Sequence, residues 1–97
     1  MLSKIPIDMK KVKKEDITKE VLRVAVIAEL DAISLYEELA SAVEDEDIKK
    51  VFEDVAKEEK THAGEFQSLL LMKDKEQMRE LEAGKDEVEE LIGKKTF

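Results

Sequence analysis

Glu29, Glu59 and His62 stand where apolar residues belong. From Ile48 onward the positions Ile48, Phe52, Val55, Glu59, His62, Phe66 and Leu69 follow an alternating spacing of four and three. That spacing is the seam of a packed helix. The preceding segment repeats it through Leu22, Val26, Glu29, Ile33, Tyr36, Ala40 and Val43. An ionised carboxylate buried without a partner costs several kcal/mol. Two carboxylates and the only histidine of the chain on two facing seams therefore imply a cation between them. Carboxylate oxygens with one imidazole nitrogen suit iron(II), manganese(II) or zinc(II).

The set is half of a recognisable arrangement. Carboxylate-bridged two-metal sites in helical bundles take one Glu from each of two helices and a Glu-x-x-His pair from each of two others. Residues three apart share a helix face, which is why that pair can bind together. This chain has one copy of each part, Glu29 and the run Glu59-Lys60-Thr61-His62. A second copy related by a two-fold axis doubles the set to four glutamates and two histidines, enough for two ions and nearly neutral with them. The competing reading of His62 is an interior histidine paired with Glu59 or Glu29. Tyr36, on the seam two turns from Glu29, is either a hydrogen-bonding neighbour of a ligating carboxylate or a core aromatic. Phe52 and Phe66 read as core. Asp31 points away from the seam and, with Glu38, either guides cations or forms a solvated face.

Three regions position these residues. Residues 1–15 read as an N-terminal arm, extended around Pro6. Residues 16–73 read as a helical hairpin: one helix capped by Asp16 or Thr18 and running to Val43, an acidic connection at Glu44-Asp45-Glu46-Asp47, and a second helix capped by Asp45 or Asp47 and running to Met72. So short a connection makes the two helices antiparallel. Counted from the loop near Asp45, Glu29 and Glu59 then lie at similar depth. Residues 74–97 read as a short helix capped by Asp74 and ended by Gly84, a further helical segment from Lys85 to Ile92 stopped by Gly93, and a tail. The fold class is all-α. The apolar arc of the first helix is too wide for one partner, because Val21, Val24, Ala28, Leu35 and Leu39 widen it on one side and Ile27 and Leu30 on the other. The expected solution is a homodimer forming a four-helix bundle, with surplus apolar surface left for contacts between dimers.

Composition excludes several alternatives. The chain has 97 residues, no cysteine, no tryptophan, three glycines and one proline, and 43% of it is charged. Disulfides, thiolate metal sites and a rubredoxin-type iron centre are ruled out. A net charge of −8 argues against nucleic acid as a partner and favours cations. No apolar run could span a membrane and no signal peptide is visible, so a cytosolic or compartment-enclosed protein is expected. Asparagine is absent while lysine and glutamate dominate, which leans toward a thermophilic source.

The segment from Leu22 to Leu71 resembles the ferritin-like superfamily, and within it the encapsulated ferritins, especially archaeal forms fused to an encapsulin shell protein. The likeness rests on Ala28-Glu29-Leu30-Asp31-Ala32-Ile33-Ser34-Leu35-Tyr36, on Glu58-Glu59-Lys60-Thr61-His62-Ala63, and on the 30-residue separation of Glu29 and Glu59. It implies a ferroxidase with two irons at each dimer interface, bound by Glu29, Glu59 and His62 of both chains. It further implies a decamer, a ring of five dimers, held in the cytoplasm inside an encapsulin nanocompartment. By the same likeness Asp31 matches a position associated with metal admission and Tyr36 a tyrosine beside the centre. Leu35 stands where some members have tryptophan, and Ala28 replaces an acid that helps bind arriving metal. The segment from Ile92 to Phe97 contains no recognisable cargo peptide, which implies a piece of a shell fusion or a different encapsulation signal. Two rival readings remain: a rubrerythrin-like di-metal peroxide reductase, and a helical oligomerisation module with a structural metal or none.

Overall fold

The computed structural model describes Lys4 and residues 8–97. The expected extended backbone around Pro6 lies outside the described residues. Two short 3-10 turns, Met9–Lys11 and Lys14–Asp16, lead into three helices: α1 (Ile17–Ala42), α2 (Glu46–Lys73) and α3 (Lys75–Ile92). The described residues are helical or irregular, with no strand among them. No helix is long and apolar enough to cross a membrane.

The hairpin forms as its sequence dictates. α1 and α2, with 26 and 28 residues, are each about 40 Å long at the α-helical rise. Val43 leaves the helical region, and its N–H still bonds to the Leu39 carbonyl. Two residues later Asp45 caps α2, its Oδ1 accepting from the N–H groups of Asp47 (2.9 Å) and Ile48 (3.1 Å). Asp45, rather than Asp47, therefore performs the cap, and Glu46 and Asp47 place negative charge at the positive end of α2. The start of α1 differs from expectation. Neither Asp16 nor Thr18 caps it with a side chain, because the 3-10 turn over Lys14–Asp16 runs directly into Ile17.

Asp74 ends α2 and begins α3. Its N–H bonds to the Leu70 carbonyl at 2.8 Å, and its Oδ1 accepts from the Gln77 N–H at 3.0 Å. The third helix does not stop at Gly84. It continues unbroken to Ile92 and ends at Gly93, whose φ of 70° supplies the left-handed residue. A glycine inside a helix costs only about 1 kcal/mol relative to alanine. The row Met78, Leu81, Lys85, Val88 and Ile92 keeps its three- and four-residue spacing past Gly84, with Lys85 its one polar member.

α1 and α2 pack against each other along their length, whereas α3 touches α2 only lightly. The chain measures 46 × 43 × 19 Å, a thin plate rather than a sphere. Its interior is small. Ala40, Ala56 and Leu70 are the buried hydrophobic residues among those described, and no large side chain is fully enclosed. Tyr36 and Phe52 stack across the hairpin with ring centroids 6.1 Å apart. Ile48 and Leu69, both on the expected seam of α2, are close to half exposed. One chain therefore leaves its own seam partly open.

Candidate metal centre

α1 supplies Glu29 and α2 supplies Glu59 and His62, each from the middle of its helix. Antiparallel pairing brings them level, so the sequence expectation of equal depth holds in space. One potential ligand atom from each of the three residues lies within 4.8 Å of the others. His62 Nδ1 is 3.6 Å from Glu29 Oε2 and 3.5 Å from Glu59 Oε2.

These separations are informative. They are longer than a good hydrogen bond between imidazole and carboxylate. Two donors bound to one ion at about 2.1 Å with a tetrahedral angle lie about 3.4 Å apart. The cluster is therefore spaced like ligands around a common ion. Glu29 Oε2 is buried and has no hydrogen-bond partner, which is costly unless something cationic meets it. Both glutamate side chains are 19% exposed and His62 is 44% exposed, so the cluster sits at the mouth of an open face. The donor chemistry and the unpartnered oxygen both fit a divalent metal.

The remaining candidates lie apart from this cluster. Asp31 is half-buried on α1 and is not one of the three grouped residues. Tyr36 lies on Phe52, so its ring is part of the hairpin packing. Around the centre, Lys60 Nζ pairs with Glu37 Oε2 at 3.1 Å and ties α2 to α1 across an exposed flank.

A second charged group, not foreseen from the sequence, joins α1 to the start of α3. Arg23 donates from Nη1 to Glu20 Oε1 at 2.7 Å and from Nη2 to Asp74 Oδ2 at 3.0 Å. The Gln77 N–H is the largest influence holding the Asp74 carboxyl below its ordinary value of 3.8. Burial opposes it, while the Lys19 and Arg23 charges and the Arg23 hydrogen bond assist. The three-residue spacing of Glu20 and Arg23 was a visible signal for half of this group. Its pairing with Asp74, 51 residues from Arg23, was not.

The chain is similar to known proteins in sequence and in fold. The rubrerythrin family profile matches residues 20–96. A ferritin-like–encapsulin shell fusion protein of Pyrococcus furiosus is 58% identical over 74 residues, which cover 76% of this chain and 21% of that protein. The chain thus spans about a fifth of the length of that curated relative. The crystal structure of an encapsulated ferritin domain from Pyrococcus furiosus superposes with a TM-score of 0.83 at 49% identity, covering 99% of this chain and 100% of the other. The likeness read from Leu22 to Leu71 is borne out and extends through α3. This chain belongs to the rubrerythrin family, has its ferritin-like helical fold, and is similar to encapsulated ferritins, including the shell-fused form.

Proposed function

We propose that the chain is a ferroxidase whose centre is completed by a second copy across a two-fold axis. The observation that carries this reading is the cluster of Glu29, Glu59 and His62, spaced like ligands and open on one side. Three donors from one chain do not complete a coordination shell. The same three from a partner give four carboxylates and two imidazoles for two iron(II) ions. The anionic glutamates would offset the ionic charge, and the neutral nitrogen of His62 would complete each half. Partial burial of the glutamates lowers the dielectric around them and strengthens their hold.

Iron(II) is the substrate. Each ion gives one electron to oxygen or peroxide and leaves as iron(III). Four carboxylates favour the more highly charged product, which is how the site drives oxidation. The likeness to encapsulated ferritins supports iron over zinc or manganese as the natural ion, and supports an encapsulin shell as the store. Five dimers closing into a ring is the assembly this reading favours.

The rubrerythrin family match keeps a second reading in view, a di-metal peroxide reductase. Stopped-flow oxidation of iron(II) under oxygen and under peroxide, with the consumption of each oxidant measured, separates the two. Oxygen consumed in proportion to added iron supports the ferroxidase. Peroxide consumed catalytically, far in excess of the iron oxidised, supports the reductase. A preparation that binds no iron and oxidises none supports a structural module instead.

A further inference from the structure

A cleft of about 560 Å³ lies between the N-terminal arm, α1 and the first turn of α3. Its walls differ in charge from the rest of the molecule. Across the chain acids outnumber lysines and arginines 25 to 17. The cleft is lined by four basic residues and four acidic ones, with Val12 its only apolar side chain. Neutral balance in so acidic a chain is a local concentration of positive charge.

Two of those acids are already engaged. Glu20 and Asp74 accept from Arg23 at 2.7 and 3.0 Å, and Asp74 also caps α3. Arg23 spends two of its five N–H donors on these bonds, and its side chain stays 40% exposed. Lys11, Lys13 and Lys19 form no ion pair among the described residues. Lys19 is half-buried, and its charge reaches Asp74. The three lysines therefore face two uncommitted acids, Asp16 and Glu76. What remains is a surplus of positive charge beside the idle N–H groups of a guanidinium.

The lining also states the class of ligand. No aromatic ring and only one apolar side chain border the cleft, so an organic ring or an alkyl chain finds nothing to pack on. Ammonium groups and a guanidinium fork converge on oxygen-rich anions. Cations spread over the arm and α1 suit an anion with several charged oxygens, whereas chloride or a single carboxylate engages only part of the set.

We propose that this cleft binds a phosphate oxyanion, held by Lys13, Lys19 and the unused N–H groups of Arg23, with Lys11 adding charge. The bound anion ties the arm to α1 above the α1–α3 junction. The cleft shares no residue with Glu29, Glu59 and His62, so the site stands apart from the iron reading. Free orthophosphate and condensed phosphate share the chemistry that it recognises.

Calorimetric titration of the metal-free full chain with orthophosphate, and separately with pyrophosphate, tests this. One anion should bind per chain, with affinity falling as salt rises. Tighter binding of pyrophosphate supports the site and identifies condensed phosphate as its ligand, and equal affinity supports it with orthophosphate as the ligand. Lys13→Ala with Lys19→Ala should weaken binding about tenfold, through loss of charged hydrogen bonds. Glu76→Gln removes opposing charge without touching the Arg23 pairs and should tighten binding about twofold. Lys50→Ala, which removes an exposed lysine from α2, should change nothing. Helical circular dichroism checks that each variant is folded. The proposal is overturned if neither anion saturates a site or if the double lysine variant binds as wild type does. Weaker binding by Glu76→Gln, or a loss in Lys50→Ala equal to that of the double variant, overturns it too. Failure of the ferroxidase reading leaves these titrations unchanged, because no metal is present in them.

Discussion

Two charged clusters in this chain look alike in composition and differ in balance. At the junction of α1 and α3, Glu20 and Asp74 flank the guanidinium of Arg23, with Lys19 contributing positive charge. On the open face of the hairpin, Glu29 and Glu59 flank His62, and among the described residues no Lys or Arg forms an ion pair with either glutamate. Each cluster contains one buried carboxylate oxygen without a hydrogen-bond partner, Glu20 Oε2 in the first and Glu29 Oε2 in the second. An unpartnered atom alone therefore does not mark a ligand site. Charge balance does. The junction carries its own cation and holds helices together. The open face lacks one, and the proposed metal would supply it.

The largest expected effect tests the unbalanced cluster. His62→Ala or Glu59→Ala removes one of three donors and should lower iron affinity by more than the roughly 10- to 100-fold typical of losing a residue that merely supports a ligand. Metal content and the rate of iron(II) oxidation read this directly, while the helical signal should stay near wild type. Two-ion loading retained by both variants would remove the distinction between the clusters.

Acid sharpens the comparison from the other side. The Asp74 pKa is depressed on folding, so its stabilising effect is fully present above its ordinary value of 3.8 and fades as pH falls through the lower folded value. Protonation weakens both the α3 cap and the link to Arg23. The start of α3 should therefore loosen in strong acid before the α1–α2 pairing does. Asp74→Asn should show much of that loosening at neutral pH. Hydrogen exchange at Gln77 and Met78, compared with exchange in the middle of α2, is the measurement. Equal acid sensitivity at the two places would count against a structural role for the junction.

Much of the open-face cluster was legible in the sequence because local periodicity produces it. Polar residues interrupting the seams of two helices, with a short loop between them, place Glu29, Glu59 and His62 together by arithmetic alone. The junction was less legible, since Arg23 and Asp74 meet only after α2 has returned along α1. The end of α3 was misread at Gly84 because glycine stops a helix only where the backbone must turn left-handed, and that turn comes at Gly93. A Cβ at Gly84 would meet nothing within 4 Å, so no neighbour requires glycine there.

Glu29→Ala probes the unbalanced cluster without metal. Removing one of two facing carboxylates relieves repulsion, on the order of 1 kcal/mol for partly exposed charges a few ångströms apart. The metal-free dimer should survive and melt slightly higher, while iron binding weakens. Calorimetry of the metal-free protein decides the sign. A lower melting temperature would mean that Glu29 holds the apo hairpin together, as Arg23 and Asp74 hold the junction.

The smallest expected effect is the most discriminating, because one chemical change is made in both clusters. Glu20→Gln preserves shape and can still accept from Arg23, whose second hydrogen bond to Asp74 remains. The stability change should stay within about 1 kcal/mol, the range of exposed ion pairs, and iron binding should not move. Glu59→Gln preserves shape equally well but removes an anionic donor from a set already short of one ligand shell. Iron stoichiometry should fall there while stability barely changes. Parallel thermal melts and metal titrations of the two variants place each glutamate by its response. A cluster completed from within answers in stability, and a cluster completed from outside answers in metal.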